Sequence, residues 1–290
     1  MDVLPSVLIP VLIDAVAVLR LYIIAASGRL SAGHAAFFGI GGYAAGLATI
    51  HLSMPPPVSI AIGAAVAGAC GAGFALIADR LGHWFFTVTT LAFAVMAIGL
   101  VSGIEAFGGA TGLYGIPLSV GLGEALAALA LAIGFIIWFD ATGFARTMRA
   151  VRDSEMAAQA LAIDPRRVRV IAFAVGTVFA GLAGGLWSHY LGLIKPSDMS
   201  LNRSLLYLIY LSIGGVDVWA GALFGTFLLG FLPELIRFSR AYRFVLFGGL
   251  LALVMTLRPA GLIRTEDVQR VKTLWQRLWR VFASASKSSP

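Results

Sequence analysis

The chain has 290 residues, 59% of them hydrophobic and 12% charged, with a formal net charge of +7. Typical soluble domains are about a quarter charged, and a soluble fold of this length lacks the interior to hide so much apolar surface, so lipid must cover it. Nucleic-acid binding is disfavoured as well, because the positive charge sits in loops and the C-terminal tail rather than on a basic face interleaved with aromatics.

In chain order, nine apolar segments lie at about 4–27, 35–52, 58–78, 84–104, 121–139, 168–192, 204–214, 218–236 and 243–258. Most approach the ~20 residues that cross a ~30 Å hydrocarbon core. The run 204–236 is too long for one crossing, and Gly214-Gly215 with Asp217 divides it into a half-span and a full span. Breaks at membrane depth are tolerated where protein or a water-filled cavity covers them. The expected fold is an all-α polytopic membrane protein with about nine transmembrane segments, the half-span included. GxxxG spacings at Gly42/Gly46, Gly99/Gly103, Gly181/Gly185 and Gly221/Gly225 predict helix packing. The glycine turns at Gly28 and Gly214-Gly215 echo one another, either as a repeat of the kind that places breaks near a transport path or by composition alone.

Residues 140–169 interrupt this pattern with Arg146, Arg149, Arg152, Arg166, Arg167 and Arg169 beside Asp140, Asp153, Glu155 and Asp164. The arginine excess assigns the loop to the cytoplasmic side. Its middle, Thr147–Leu161, reads as a short helix, and Asp164-Pro165 restarts the chain. The tail from Arg258 is basic too, so both should be cytoplasmic; counting back puts the N-terminus outside and Asp79-Arg80 inside. Arg237, Arg240 and Arg243 then fall outside, against the orientation rule. The transmembrane domain covers 1–264. A tail over 265–290 reads as amphipathic, lying on the membrane surface, with a disordered end. The first apolar segment lacks a basic n-region and should stay in the membrane.

Asp14 and Arg20 lie inside the first segment, six residues apart and on different helix faces. Ser31 and His34 open a helix carrying Phe37, Phe38 and Tyr43, where free N–H groups suit a polar cargo. Thr87 and Thr90 lead the fourth segment. Together these seven form the candidate translocation path, with local hydrogen bonding and helix packing as the alternative reading. No GxxxxGK[ST] phosphate loop or HExxH site exists. His34, His51, His83 and His189 show no helical metal spacing, and lone Cys70 forms no intrachain disulfide or zinc site. The expectation is a chain that is not an enzyme, with no catalytic or metal site and no cofactor of its own.

Several stretches carry a resemblance: GRLSAGHAAFFGIGGY at 28–43, TLAF at 90–93 followed by the Gly108–Pro117 loop, RAVRDSEMAA at 149–158 running on to Ala180–Gly184, and the closing YRF at 242–244 with RPAGL at 258–262. They resemble the permease subunits of ABC importers for branched-chain amino acids, the LivM-like branch in particular, over about residues 10–264. The resemblance implies a type II-like permease bundle in a bacterial inner membrane. It also implies a second homologous permease subunit, two ABC ATPase subunits that bind the ATP, and a periplasmic substrate-binding protein. By position it assigns coupling to the ATPase to Arg149, Arg152, Asp153, Glu155, Ala157 and Ala158. Relatives also carry urea, short amides and aromatic acids, so the cargo stays open. Ala162 stands where the family usually has Gly, and the loop before Leu113 reads FGGATGL. The competing expectation is a self-sufficient secondary transporter or channel.

Overall fold

The computed structural model describes residues 3–235, 243–258 and 261–263. Each apolar segment forms a helix, and local chemistry sets its limits. Helix α1 (Val3–Ala26) ends at Gly28, whose φ of 81° suits a residue without Cβ. Helix α2 (Ala35–Leu52) runs into three prolines, and α3 (Pro56–Ala78) begins on one, where a missing N–H costs nothing. After α4 (His83–Gly103), α5 (Leu122–Ala141) is held at its start by Glu124, which accepts from Gly121 N–H at 2.9 Å.

The charged island forms two helices rather than the single one expected over 147–161: α6 (Gly143–Asp153) and α7 (Glu155–Ala160). Ser154 causes the break. Its backbone is extended and its side chain accepts from Ala157 N–H at 3.2 Å, so it ends one helix and caps the next. Asp164 caps α8 (Pro165–Leu191) through Arg166 and Arg167 N–H, with Pro165 at the first helical position as expected. Helices α9 (Leu201–Gly214), α10 (Trp219–Leu235) and α11 (Arg243–Leu257) follow.

Helix α8 is the spine, packed by α1, α2 and α3. Helix approach is close at Gly41, Gly181 and Gly184, where a methyl on any of them would overlap backbone of the neighbouring helix. Gly42, Gly185, Gly221 and Gly225 also pack tightly, but Gly99 and Gly103 have nothing within 4 Å and do not mark an interface within this chain. Lone Cys70 is exposed.

The chain is a mostly helical, multi-pass membrane protein. Among the described residues six helices, α1–α5 and α8, are long and apolar enough to cross a bilayer, or seven spans if the bent α9–α10 pair counts as one, against the nine segments expected. Helices α9 and α10 meet at 117° across the expected glycine break, and α11 has 15 residues, so length alone does not make these three into separate crossings. The all-helical expectation is also amended by one two-residue antiparallel pairing, β1 (Leu113–Tyr114) with β2 (Leu193–Ile194). It ties the glycine-rich loop to the far end of α8. The expectations for Arg237, Arg240 and the 265–290 tail lie outside the described residues.

Candidate functional site

The arginine-rich end of the bundle gathers the 27–34 turn, the 79–82 turn, α6–α7 and the α9–α10 break. Asp79 lies at the centre, its side chain 1% exposed. It accepts from Arg29 Nε at 3.0 Å and from Arg169 Nε at 2.9 and 3.0 Å. The other end of the Arg169 guanidinium donates to both Glu155 oxygens, at 3.0 and 3.3 Å. Four segments are thereby joined by one chain of charge, Glu155–Arg169–Asp79–Arg29. Burial pulls the Arg29 pKa down, while Asp79 beside it acts in the opposite direction. A cavity of about 410 Å³ opens here, lined in part by Arg29, Asp79, Arg152, Glu155 and Arg169.

Four of the six candidate coupling residues face inward. Arg149 donates to Asp140 at 2.8 Å and to the Tyr22 hydroxyl at 3.4 Å. Arg152 donates to Asp217 at 3.0 Å, which fastens α6 to the α9–α10 break. Glu155 is paired as above, and Ala158 is buried. Asp153 and Ala157 are exposed, Asp153 pairing with Arg152 at 3.5 Å at the rim of the cavity. The outward face carries Met156, 82% exposed, and Leu161, 74% exposed. These two are large apolar side chains on a charged loop, and sequence reasoning passed over them. Their signal was present, since large apolar side chains within a charged loop have little large apolar surface of their own to pack on.

The seven candidate path residues divide. Ser31, His34, Phe37, Phe38, Tyr43 and Thr90 are all buried. Thr90 accepts from Ala32 and Gly33 N–H at 3.1 and 3.3 Å, and Ser204 accepts from Ala35 N–H at 3.0 Å. Donors expected to be free for cargo are therefore occupied, because buried backbone N–H groups take partners wherever the fold supplies them. Thr87 donates to Leu30 carbonyl at 3.1 Å. Phe37 sits in an aromatic cluster with Phe74, Phe93 and Phe173. Tyr43 instead faces an apolar cavity of about 350 Å³, lined by Ile40, Leu47, Val66, Phe93 and Phe107 among others.

His34 and Phe38 meet residues that the sequence did not connect. Arg20, fully buried, donates from Nη1 to His34 carbonyl at 2.8 Å and stands 5.6 Å above the Tyr207 ring. Tyr207 stacks on His34 at 6.0 Å and donates to Asp14 at 2.8 Å. Asp14 and Arg20 are linked through Tyr207 of α9. Arg203 lies over Phe38 and Trp187 at 4.7 and 4.4 Å and pairs with Asp198 at 3.3 Å. No group of three metal-ligating side chains exists among the described residues.

A family model described as branched-chain amino acid transport system / permease component matches residues 4–255. The chain is 26% identical over 278 residues to the high-affinity branched-chain amino acid transport system permease protein LivM of Escherichia coli (strain K12), covering 83% of this chain and 65% of that protein. It is 25% identical, with the same coverage, to the protein so named in Salmonella typhimurium. It is also 28% identical over 143 residues to the permease protein LivH of Escherichia coli (strain K12), covering 49% of this chain and 46% of that one. The chain thus spans 65% of the length of these LivM relatives. No solved structure matches it significantly. The relatives are transport permease components rather than enzymes. By the extent of the family match, the chain belongs to the branched-chain amino acid transport system permease family.

Proposed function

We propose that the chain is a membrane-spanning subunit of an ATP-binding cassette importer. It forms half of a translocation path with a second homologous permease, carries a branched-chain amino acid or a related small substrate, and is driven by two ATPase subunits docked on α6–α7. Substrate arrives from a periplasmic binding protein, and ATP is held by the partner subunits. Orientation follows from the arginine-rich end being cytoplasmic: the N-terminus lies outside, the C-terminus inside, and the membrane is the bacterial inner membrane. Nine segments remain our reading of the span count, with α9 as the half-span.

The observation that carries this reading is the α6–α7 pair. One face is riveted to the bundle through Arg149, Arg152 and Glu155, and the other offers exposed Met156 and Leu161. A self-sufficient transporter has no use for such an outward apolar face on a charged cytoplasmic loop. ATP-dependent uptake of L-leucine into proteoliposomes holding this chain with the second permease, the ATPases and the binding protein is the test. Uptake should need all components and stop with this chain alone. Counterflow supported by this polypeptide alone would contradict the reading.

A further inference from the structure

Arg20 is the most buried charge among the described residues, yet its hydrogen bonding is half made. Its side chain is 0% exposed, and only Nη1 has a partner, the His34 carbonyl. Nε and Nη2 have none. Those two N–H groups lie on one edge of the planar guanidinium, the edge that takes a carboxylate side-on through two parallel bonds. Arg20 makes no ion pair among the described residues. An intramembrane cation without an anion on it is rare and marks a functional position.

His34 supplies the complement. Its Nδ1 lies 2.6 Å from the Ser31 carbonyl, which can only accept, so Nδ1 carries the proton and Nε2 of the neutral ring presents a lone pair. That Nε2 is buried without a partner, as is the Ser31 hydroxyl oxygen. The cluster therefore holds two parallel donors, one acceptor and a hydroxyl, backed by the Tyr207 ring and by Asp14 beyond it.

We infer that Arg20, His34 and Ser31 form the contact for the head group of an α-amino acid in transit, Arg20 taking the carboxylate and His34 Nε2 the ammonium. This rests on the importer reading and narrows it, since urea, amides and other neutral cargo lack the anion that the Arg20 edge requires. The site is shut in this conformation. His34 stands on the turn that begins at Gly28, and Arg29 of that turn is joined through Asp79 and Arg169 to Glu155 on α7, so movement of the coupling helices reaches it.

The test is equilibrium binding to the chain copurified with its co-expressed partners in lipid nanodiscs, using L-leucine and L-leucinol, which keeps the ammonium and side chain but lacks the carboxylate. Arg20→Lys preserves the charge and removes the side-on edge. Leucine affinity should fall by about tenfold or more while leucinol affinity changes by less than about twofold. If both ligands weaken alike, Arg20 only positions its neighbours and the inference is overturned. If neither weakens, the unpartnered N–H groups meet buried water only, and it is again overturned. Recovery of ATPase with the wild-type chain is scored separately. Its absence would count against the importer reading, and the leucine/leucinol contrast would still decide the contact.

Discussion

Ala162 holds backbone strain at a single residue. It holds a left-handed backbone, φ 58°, directly after α7, a conformation that costs an L-residue about 1–2 kcal/mol and glycine almost nothing. This chain accepts that strain with an alanine. Ala162→Gly should raise the thermal midpoint, worth about 1 kcal/mol, and a lowered midpoint would show that the Ala methyl packs usefully. Asp79 carries more. Its carboxylate serves both Arg29 and Arg169 from an almost fully buried position, and removing one member of a buried pair costs about 3 kcal/mol or more because the other charges are stranded. Asp79→Asn should therefore lower the midpoint sharply and Asp79→Glu less so; equal midpoints would place the charges in water. In the sequence Asp79 was legible only as an inside-loop marker. Its partners lie 50 and 90 residues away along the chain, and no local pattern encodes that closure.

At the scale of elements, apolar length and punctuation were readable, and partnership was not. The glycine turns, the Asp164-Pro165 start and the division at Gly214-Gly215 fall where the sequence placed them, because each rests on local backbone chemistry. The single helix across 147–161 did not survive, since Ser154 offers the backbone a better bond as a cap than as a helical interior residue. Gly99 and Gly103 show that GxxxG spacing states a capacity for close approach without naming a neighbour. The donors of the Ser31–Ala35 turn were read as free because Thr90 and Ser204, which take them, are distant in sequence. The division of labour on α6–α7 gives a prediction of its own. Glu155→Gln cuts the connection from α7 to Arg169 without touching the outward face. Uptake should fall by at least about fivefold while ATPase copurification persists and ATP hydrolysis continues. A parallel loss of copurification would mean that Glu155 faces the ATPase rather than the bundle.

At the scale of the whole molecule, one end of the bundle concentrates the charge. Helices α6–α7, the turn before α2 and the α9–α10 break are all tied together there through Asp79, Arg152 and Asp217. From that end the buried polar seam of Arg20, His34, Tyr207 and Asp14 leads inward between α1, α2 and α9. Composition made the membrane class legible. The seam was not legible, because Tyr207 of α9, which joins Asp14, Arg20 and His34, lies most of the chain away from those three. Docking of an ATPase on α6–α7 is the claim on which the rest depends. Cysteine placed at Met156, in a Cys70→Ser background that removes the exposed native thiol, should crosslink to the co-expressed ATPase subunit with a yield that changes between nucleotide-free and ATP-bound conditions. No crosslink in any nucleotide condition, from a protein that still reaches the membrane folded, would contradict the account.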